Sequence, residues 1–399
     1  MPNVVQFHLG YRPSAQLGES YSLVPIASLS KSILQFAVYA FSALTVLQAL
    51  IGRTHYRKWF LVYLAPWVAL SLSSLLATQS FTATSLVYVA MGLGIANHED
   101  KMALLRALGG LTALLAMVSL VMVATTPNAL MSQAHLADAK ALVGTSLLNG
   151  PFSHPNTLGQ TLAIGFPFVL MIKRRWMRIL GVASVALALV WASSRTSILA
   201  VVIAVVVGLG WVAVKQLGRF EKVAVGLPLL TVYALIVPVA IVLVGIAGPD
   251  SFSNRGVIWE TSLNLWADRP VWGWGSDVYG SLSQSMRNIG VLAFHGHNML
   301  VNALAVGGLV SAAALLVLYV VIIRKSWVQG YREHNIAVSM FAVVFISIGW
   351  FEVPTTFYTL GATSWVAWAA VGLVLALPRA LSVPGGPDLL PATLDGRRT

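Results

Sequence analysis

Eleven apolar runs constrain this chain more than any other feature. They lie at about 32–51, 59–78, 81–96, 107–126, 156–172, 177–193, 196–214, 223–246, 298–323, 336–353 and 358–377. A bilayer core demands helices of roughly 20 apolar residues, because lipid offers no partner to a free backbone N–H or C=O. The chain is 57% hydrophobic and only 10% charged, whereas soluble domains carry roughly 25% charge. It cannot supply the polar skin of a soluble globule. The expected fold is all-α: a polytopic integral membrane protein of about eleven transmembrane helices, or twelve if residues 1–31 contain another.

Those first residues have no basic start and no long apolar core, so no cleavable signal peptide is expected. The expected organisation is an N-terminal segment (1–31), one transmembrane domain (32–378) and a disordered tail (379–399) rich in Pro, Gly and charge. The absence of cysteine excludes disulfides and thiolate metal sites.

A net charge of +12 raises nucleic acid or acidic lipid as partners, but its distribution favours membrane lipids and no nucleic acid. Alternate loops hold Arg53, Arg57 and Lys58; Lys101 and Arg106; Lys173, Arg174, Arg175 and Arg178; Lys215, Arg219 and Lys222; Arg324, Lys325 and Arg332; and Arg379, Arg397 and Arg398. That is 18 of the 25 basic residues, which marks the cytoplasmic face. The C-terminus is then inside and the N-terminus outside. Two outer segments, about 127–155 and 247–297, are longer than turns.

Four patterns fall on the outer face. Gly150-Pro151-Phe152-Ser153-His154-Pro155-Asn156 reads as a loop ending in a helix cap. Ser193-Ser194-Arg195-Thr196-Ser197 puts a lone arginine between two apolar runs, either as a snorkelling anchor or as a functional charge. In Asn254-Arg255-Gly256-Val257-Ile258-Trp259-Glu260, a helix would align Arg255, Trp259, Leu263 and Trp266, as an interfacial aromatic stripe or as one wall of a site. His295-Gly296-His297-Asn298 offers a general base, a helix cap or two metal ligands. A metal needs a third ligand, for which His154 is the evident outer-face candidate. Histidine ordinarily titrates near neutrality, which suits a base. Guanidinium forks suit a diphosphate. Together the patterns point to an anionic, membrane-borne substrate.

In this order, the HPN loop, SSRTS, NRGVIW…DRPVWGWG and HGHNMLVNALAVGGL resemble the O-antigen ligase and O-antigen polymerase superfamily (the Wzy and WaaL type) over about 150–325. The likeness is greatest to ExoQ-like exopolysaccharide polymerases. It implies a metal-independent, cofactor-free glycosyltransferase of the GT-C type in the bacterial cytoplasmic membrane, with its long loop and active site facing the periplasm. The donor would be a glycan on a polyprenyl diphosphate, and the acceptor a glycan or lipid-linked glycan. The resemblance gives Arg195 and Arg255 to the diphosphate and His297 to the acceptor hydroxyl. His295, Asn298, His154, Asn156 and Trp259 are expected to line the substrate pocket.

Two features depart from the family. Many members carry a glutamate nine residues after the motif histidine, where this chain has Val306, and many have twelve spans with both ends inside. A polymerase of repeat units is favoured over a ligase that moves finished glycan onto a lipid or protein. A transporter would show internal repeats or broken helices near the midplane, and neither is evident. Glu352, beside Pro354 at the outer end of its span, is an isolated exception to the apolar pattern.

Overall fold

The computed structural model describes residues 4–6, 24–51, 58–79, 81–126, 130–131, 141–216, 226–248, 251–286, 294–332 and 335–378. The expected disordered tail, and most of the N-terminal segment, lie outside the described residues. Each of the eleven apolar runs forms a helix. In chain order these are α1 (Pro25–Ile51), α2 (Lys58–Thr78), α3 (Leu86–Asn97), α4 (Lys101–Thr125), α5 (Pro155–Val169), α6 (Arg175–Ala192), α7 (Arg195–Gln216) and α8 (Gly226–Ala247). Two helices then follow within the 247–297 segment, α9 (Ser251–Asp268) and α10 (Val278–Met286), before α11 (Met299–Arg332), α12 (Ile336–Gly349) and α13 (Ser364–Ala376). A two-residue ladder pairs Leu130 with Leu148 and Met131 with Leu147 in the 127–155 segment.

The protein is an all-α, polytopic membrane protein. Among the described residues, six helices (α1, α2, α4, α6, α7 and α11) are long and apolar enough to cross a bilayer unaided. Helices apolar on all sides must be sheltered by lipid or by protein, and both occur here. The outer ones turn Phe36, Phe41, Val206 and Leu209 outward. The short α12 and α13 are enclosed, and every α12 residue from Ala337 to Gly349 is buried. Length explains the difference: α12 has 14 residues, about 21 Å at 1.5 Å per residue, so other helices must surround it. It stops at Gly349 rather than at 353 as the hydropathy predicts, leaving an irregular connection to Ser364.

The expectation of unbroken spans is overturned in α11. Gly308 has φ 61° and ψ −159°, a backbone that only glycine adopts readily. A break inside lipid must find other partners for the backbone groups it frees. The loop after α9 supplies them. Trp274 and Gly275 donate their N–H groups to the Ala305 and Val306 carbonyls, at 3.0 and 2.8 Å. Leu309 and Val310 donate to Pro270 and Val271, at 2.8 and 3.3 Å. Ser73 Oγ on α2 donates to the Gly307 carbonyl at 3.3 Å. The approach is so close that a Cβ on Gly273 would lie 2.7 Å from Gly307 N, and one on Gly308 2.3 Å from the Val271 carbonyl. The sequence stretches VWGWG and AVGGL are thus two sides of one joint. The exposed carbonyls that a transporter would offer to an ion are occupied here by the loop.

Candidate active site

The four sequence patterns converge at one end of the bundle. The SSRTS step is a joint of two residues. Ser193 ends α6 in the left-handed conformation, with φ 50°, and Ser194 Oγ donates to Ser197 Oγ at 2.8 Å. Arg195 begins α7 and is exposed, so it is not the buried intramembrane charge that its position in the sequence suggests. α5 packs directly on this joint, since a Cβ at Gly159 would lie 2.3 Å from Ser194 Cβ.

A cavity of about 280 Å³ opens here, lined by Asn156, Ser193, Ser194, Arg195, Thr196, Leu199, Phe252, Arg255 and Phe351. Its lining is mixed: Asn156, Ser193, Ser194, Thr196 and two guanidinium groups, together with the apolar Leu199, Phe252 and Phe351. Phe252 and Phe351 lie 5.4 Å apart, centroid to centroid. Arg195 and Arg255, 60 residues apart in the sequence, therefore face the same space.

Arg255 sits one turn into α9 and is largely buried. Its Nη1 donates to the Phe351 carbonyl at 2.6 Å, and its Nη2 to Glu352 Oε1 at 2.5 Å. A guanidinium has five N–H donors, so three remain after these two bonds. Glu352 Oε2 lies 3.3 Å from His297 Nδ1 and 3.9 Å from His295 Nε2. The His297 contact is close but not aligned as a hydrogen bond. Burial pushes the Glu352 carboxyl's pKa up, but contact with His297, the Arg255 charge and the other imidazole outweigh it and hold the value at about 2. Glu352 is therefore an anion at any physiological pH.

The HGHN stretch is a tight turn. His297 has φ 43°, and its N–H donates to His295 Nδ1 at 3.1 Å. That bond makes Nδ1 an acceptor, so the neutral His295 carries its proton on Nε2, toward Glu352. Burial, with the neighbouring His297, pushes the His295 pKa well below the ordinary histidine value; Glu352 opposes this and Arg255 adds to it. Asn298 is fully buried and caps α11: Oδ1 accepts from the Leu300 and Val301 N–H groups at 2.9 and 3.1 Å. Its Nδ2 donates to the Trp350 carbonyl at 3.0 Å, tying the histidine turn to the Glu352 segment.

Several expected pocket residues have other places. Trp259 is fully buried against Val242 and Val301. A Cβ on Gly245 would lie 2.3 Å from its ring, so it is core rather than pocket wall. Asn298 is a buried cap. His154 caps α5, its Nδ1 accepting from Asn156 N–H at 3.1 Å, and it is not among the residues lining the cavity, whereas Asn156 is.

Sequence reasoning missed Glu352 as a site residue. A carboxylate beside Pro354, at the end of an otherwise apolar span, was the available signal. Val306, the position where members of the resembled family often carry a glutamate, is buried in the core. With His295 and His297, Glu352 also completes a group whose ligand atoms lie within 4.8 Å of one another. Two imidazoles and a carboxylate are a donor set known for zinc, and His154 is not the third member. Arg255 already compensates the charge of that carboxylate, which weakens its attraction for a cation.

No curated protein matches the chain. Residues 179–316 match a family model described as O-Antigen ligase, a stretch that contains Arg195, Arg255, His295, His297 and Asn298, and stops short of Glu352. Over these residues, about a third of its length, the chain is similar to the O-antigen ligase family.

Proposed function

We propose that the protein is a metal-independent glycosyltransferase that moves glycan from a polyprenyl diphosphate to a sugar hydroxyl at the periplasmic face of the bacterial cytoplasmic membrane. One observation carries this reading. Arg255 lines the cavity while holding Glu352, whose other oxygen faces His297. Anion binding and proton acceptance are thereby joined through one carboxylate.

The diphosphate would lie between Arg195 and Arg255, using the donors that Arg255 has left. With Nδ1 turned to Glu352, His297 offers Nε2 to the acceptor hydroxyl. The hydroxyl oxygen attacks the anomeric carbon as its proton passes to His297, and the bond from that carbon to the diphosphate oxygen breaks. The diphosphate leaves with the electron pair, its growing charge met by the two arginines. Glu352 orients the imidazole and stabilises the imidazolium that forms.

Polymerisation of repeat units is the preferred form, resting on the ExoQ-like patterns. The description of the matching family model favours the alternative, ligation of finished glycan to a lipid or protein. Purified protein given a polyprenyl diphosphate-linked repeat unit should produce a ladder of longer chains. Transfer of one intact chain to a different lipid acceptor, with no ladder, would replace the polymerase with the ligase. Transfer of neither kind would reject the reading.

A further inference from the structure

A second cavity of about 280 Å³ lies beside the last turn of α2, lined by Leu76, Ala77, Arg269, Pro270, Val271, Trp272 and Gly273. Its rim is apolar and open, with Leu76 62%, Val271 49% and Trp272 40% exposed. It holds one cation, Arg269, whose guanidinium carbon stands 4.0 Å from the centre of the Trp274 ring. Trp274 is itself fixed, its Nε1 donating to the Leu265 carbonyl at 2.6 Å. The carboxylate of Asp268 is adjacent in the chain, yet no ion pair to Arg269 occurs among the described residues. A positioned cation within an apolar rim, just beyond the end of a helix, matches an amphiphile with an anionic head.

The cavity has a fixed relation to the active site through α9. Arg255 is near the start of that helix and Arg269 follows its end, a separation of 14 residues, about 21 Å at 1.5 Å per residue. The far end is anchored by the joint to α11, and Ser276 N–H donates to Ser74 Oγ on α2 at 3.0 Å. Two cationic cavities are thus held apart by one rigid helix, at a distance that an oligosaccharide of a few sugars spans. We propose that the Arg269 cavity is a second anionic-lipid site, holding the phosphate of a lipid-linked acceptor while its glycan reaches along α9 to His297. This rests on the transferase reading above. The apolar rim takes the lipid's first carbons, Arg269 takes the phosphate, and α9 sets the length of glycan that fits.

The test uses the full chain in nanodiscs and a donor whose terminal sugar is blocked, so that it can only give. One acceptor is the repeat unit on a lipid diphosphate; the other is the same glycan without lipid or phosphate. For Arg269→Gln, the KM for the lipid-linked acceptor should rise about tenfold, as loss of a charge-assisted contact implies. The kcat, the donor KM and the KM for the free glycan should stay unchanged. Arg269→Lys should recover part of the loss, because a point charge still attracts phosphate. An equal change for both acceptors, or no change, overturns the proposal. So does weaker retention of phosphatidylglycerol vesicles by Arg269→Gln with an unaltered acceptor KM, which would give the cavity to ordinary phospholipid. A wild-type protein that transfers to neither acceptor removes the transferase reading itself, and this assignment with it.

Discussion

Glu352 Oε1 accepts a hydrogen bond from Arg255 Nη2 at 2.5 Å, across 97 residues of chain. The pair is largely buried, with 4% of the Glu352 side chain and 17% of the Arg255 side chain exposed. Removing one partner of such a pair leaves the other as an uncompensated charge, usually the costlier change. Arg255→Ala should therefore destabilise the protein in detergent more than the double variant Arg255→Ala, Glu352→Gln. Thermal unfolding of the four forms measures the coupling, and additive effects would mean that the contact contributes little.

The same carboxylate sets a pH dependence. Its folded pKa, about 2, is below the ordinary carboxylate value. Its stabilisation is therefore fully present above the ordinary value and is lost as pH falls through the folded one. Acid unfolding of the wild type should thus include a component between those limits that Glu352→Gln lacks. Superimposable acid-unfolding curves for the two forms would contradict this.

Arg195→Lys and Arg255→Lys keep the charge and lose the planar fork. Arg195 is exposed, so its lysine variant should express normally and show a large loss of transfer. Arg255→Lys replaces the two separate Nη donors, to the Phe351 carbonyl and to Glu352, by a single nitrogen on a shorter head, and should lose melting temperature as well as activity. Near wild-type turnover in both variants would rule out diphosphate recognition by these residues.

His297→Asn separates chemistry from architecture. Asparagine tolerates the positive φ at this position better than most residues, so the turn should survive. Transfer should slow at least about a hundredfold, the lower end of what a positioned base contributes, with lipid diphosphate binding retained. His295→Asn should be milder. A chelator should leave the wild type unaffected, whereas chelator-sensitive activity restored by zinc would make His295, His297 and Glu352 a metal site.

The joint between the 270–275 loop and α11 predicts unequal costs for glycine substitutions. Gly308→Ala must place a methyl group 2.3 Å from the Val271 carbonyl, in a positive-φ backbone, and should prevent stable folding. Gly110→Ala, in α4 with no atom within 4 Å of the added carbon, should be neutral or stabilising by up to about 1 kcal/mol. Folded yield and melting temperature in detergent are sufficient to compare them.

Sidedness has a direct check. Reporters fused within 127–155 or 247–297 should report the periplasm, and those within 215–222 the cytoplasm. A cytoplasmic signal from the segment containing Arg255 would separate the proposed site from its substrate.

Hydropathy alone determined that the chain is helical and membrane-embedded, because lipid leaves the backbone few alternatives. Local chemistry also marked Arg195, Arg255 and His297, since isolated charges and a histidine pair are conspicuous beside apolar runs. Tertiary structure decided what those residues do to one another. Whether Trp259 faces a pocket or the core depends on which helix covers it, and α8 does so at Gly245. The break at Gly308 was hidden because a glycine in an apolar run reads the same whether the helix continues or a distant loop replaces its hydrogen bonds. Glu352 looked like an exception in its own span. Only the folding of residues 350–363 over the starts of α9 and α11 makes it the carboxylate shared by Arg255 and His297, a relation between segments that no local pattern records.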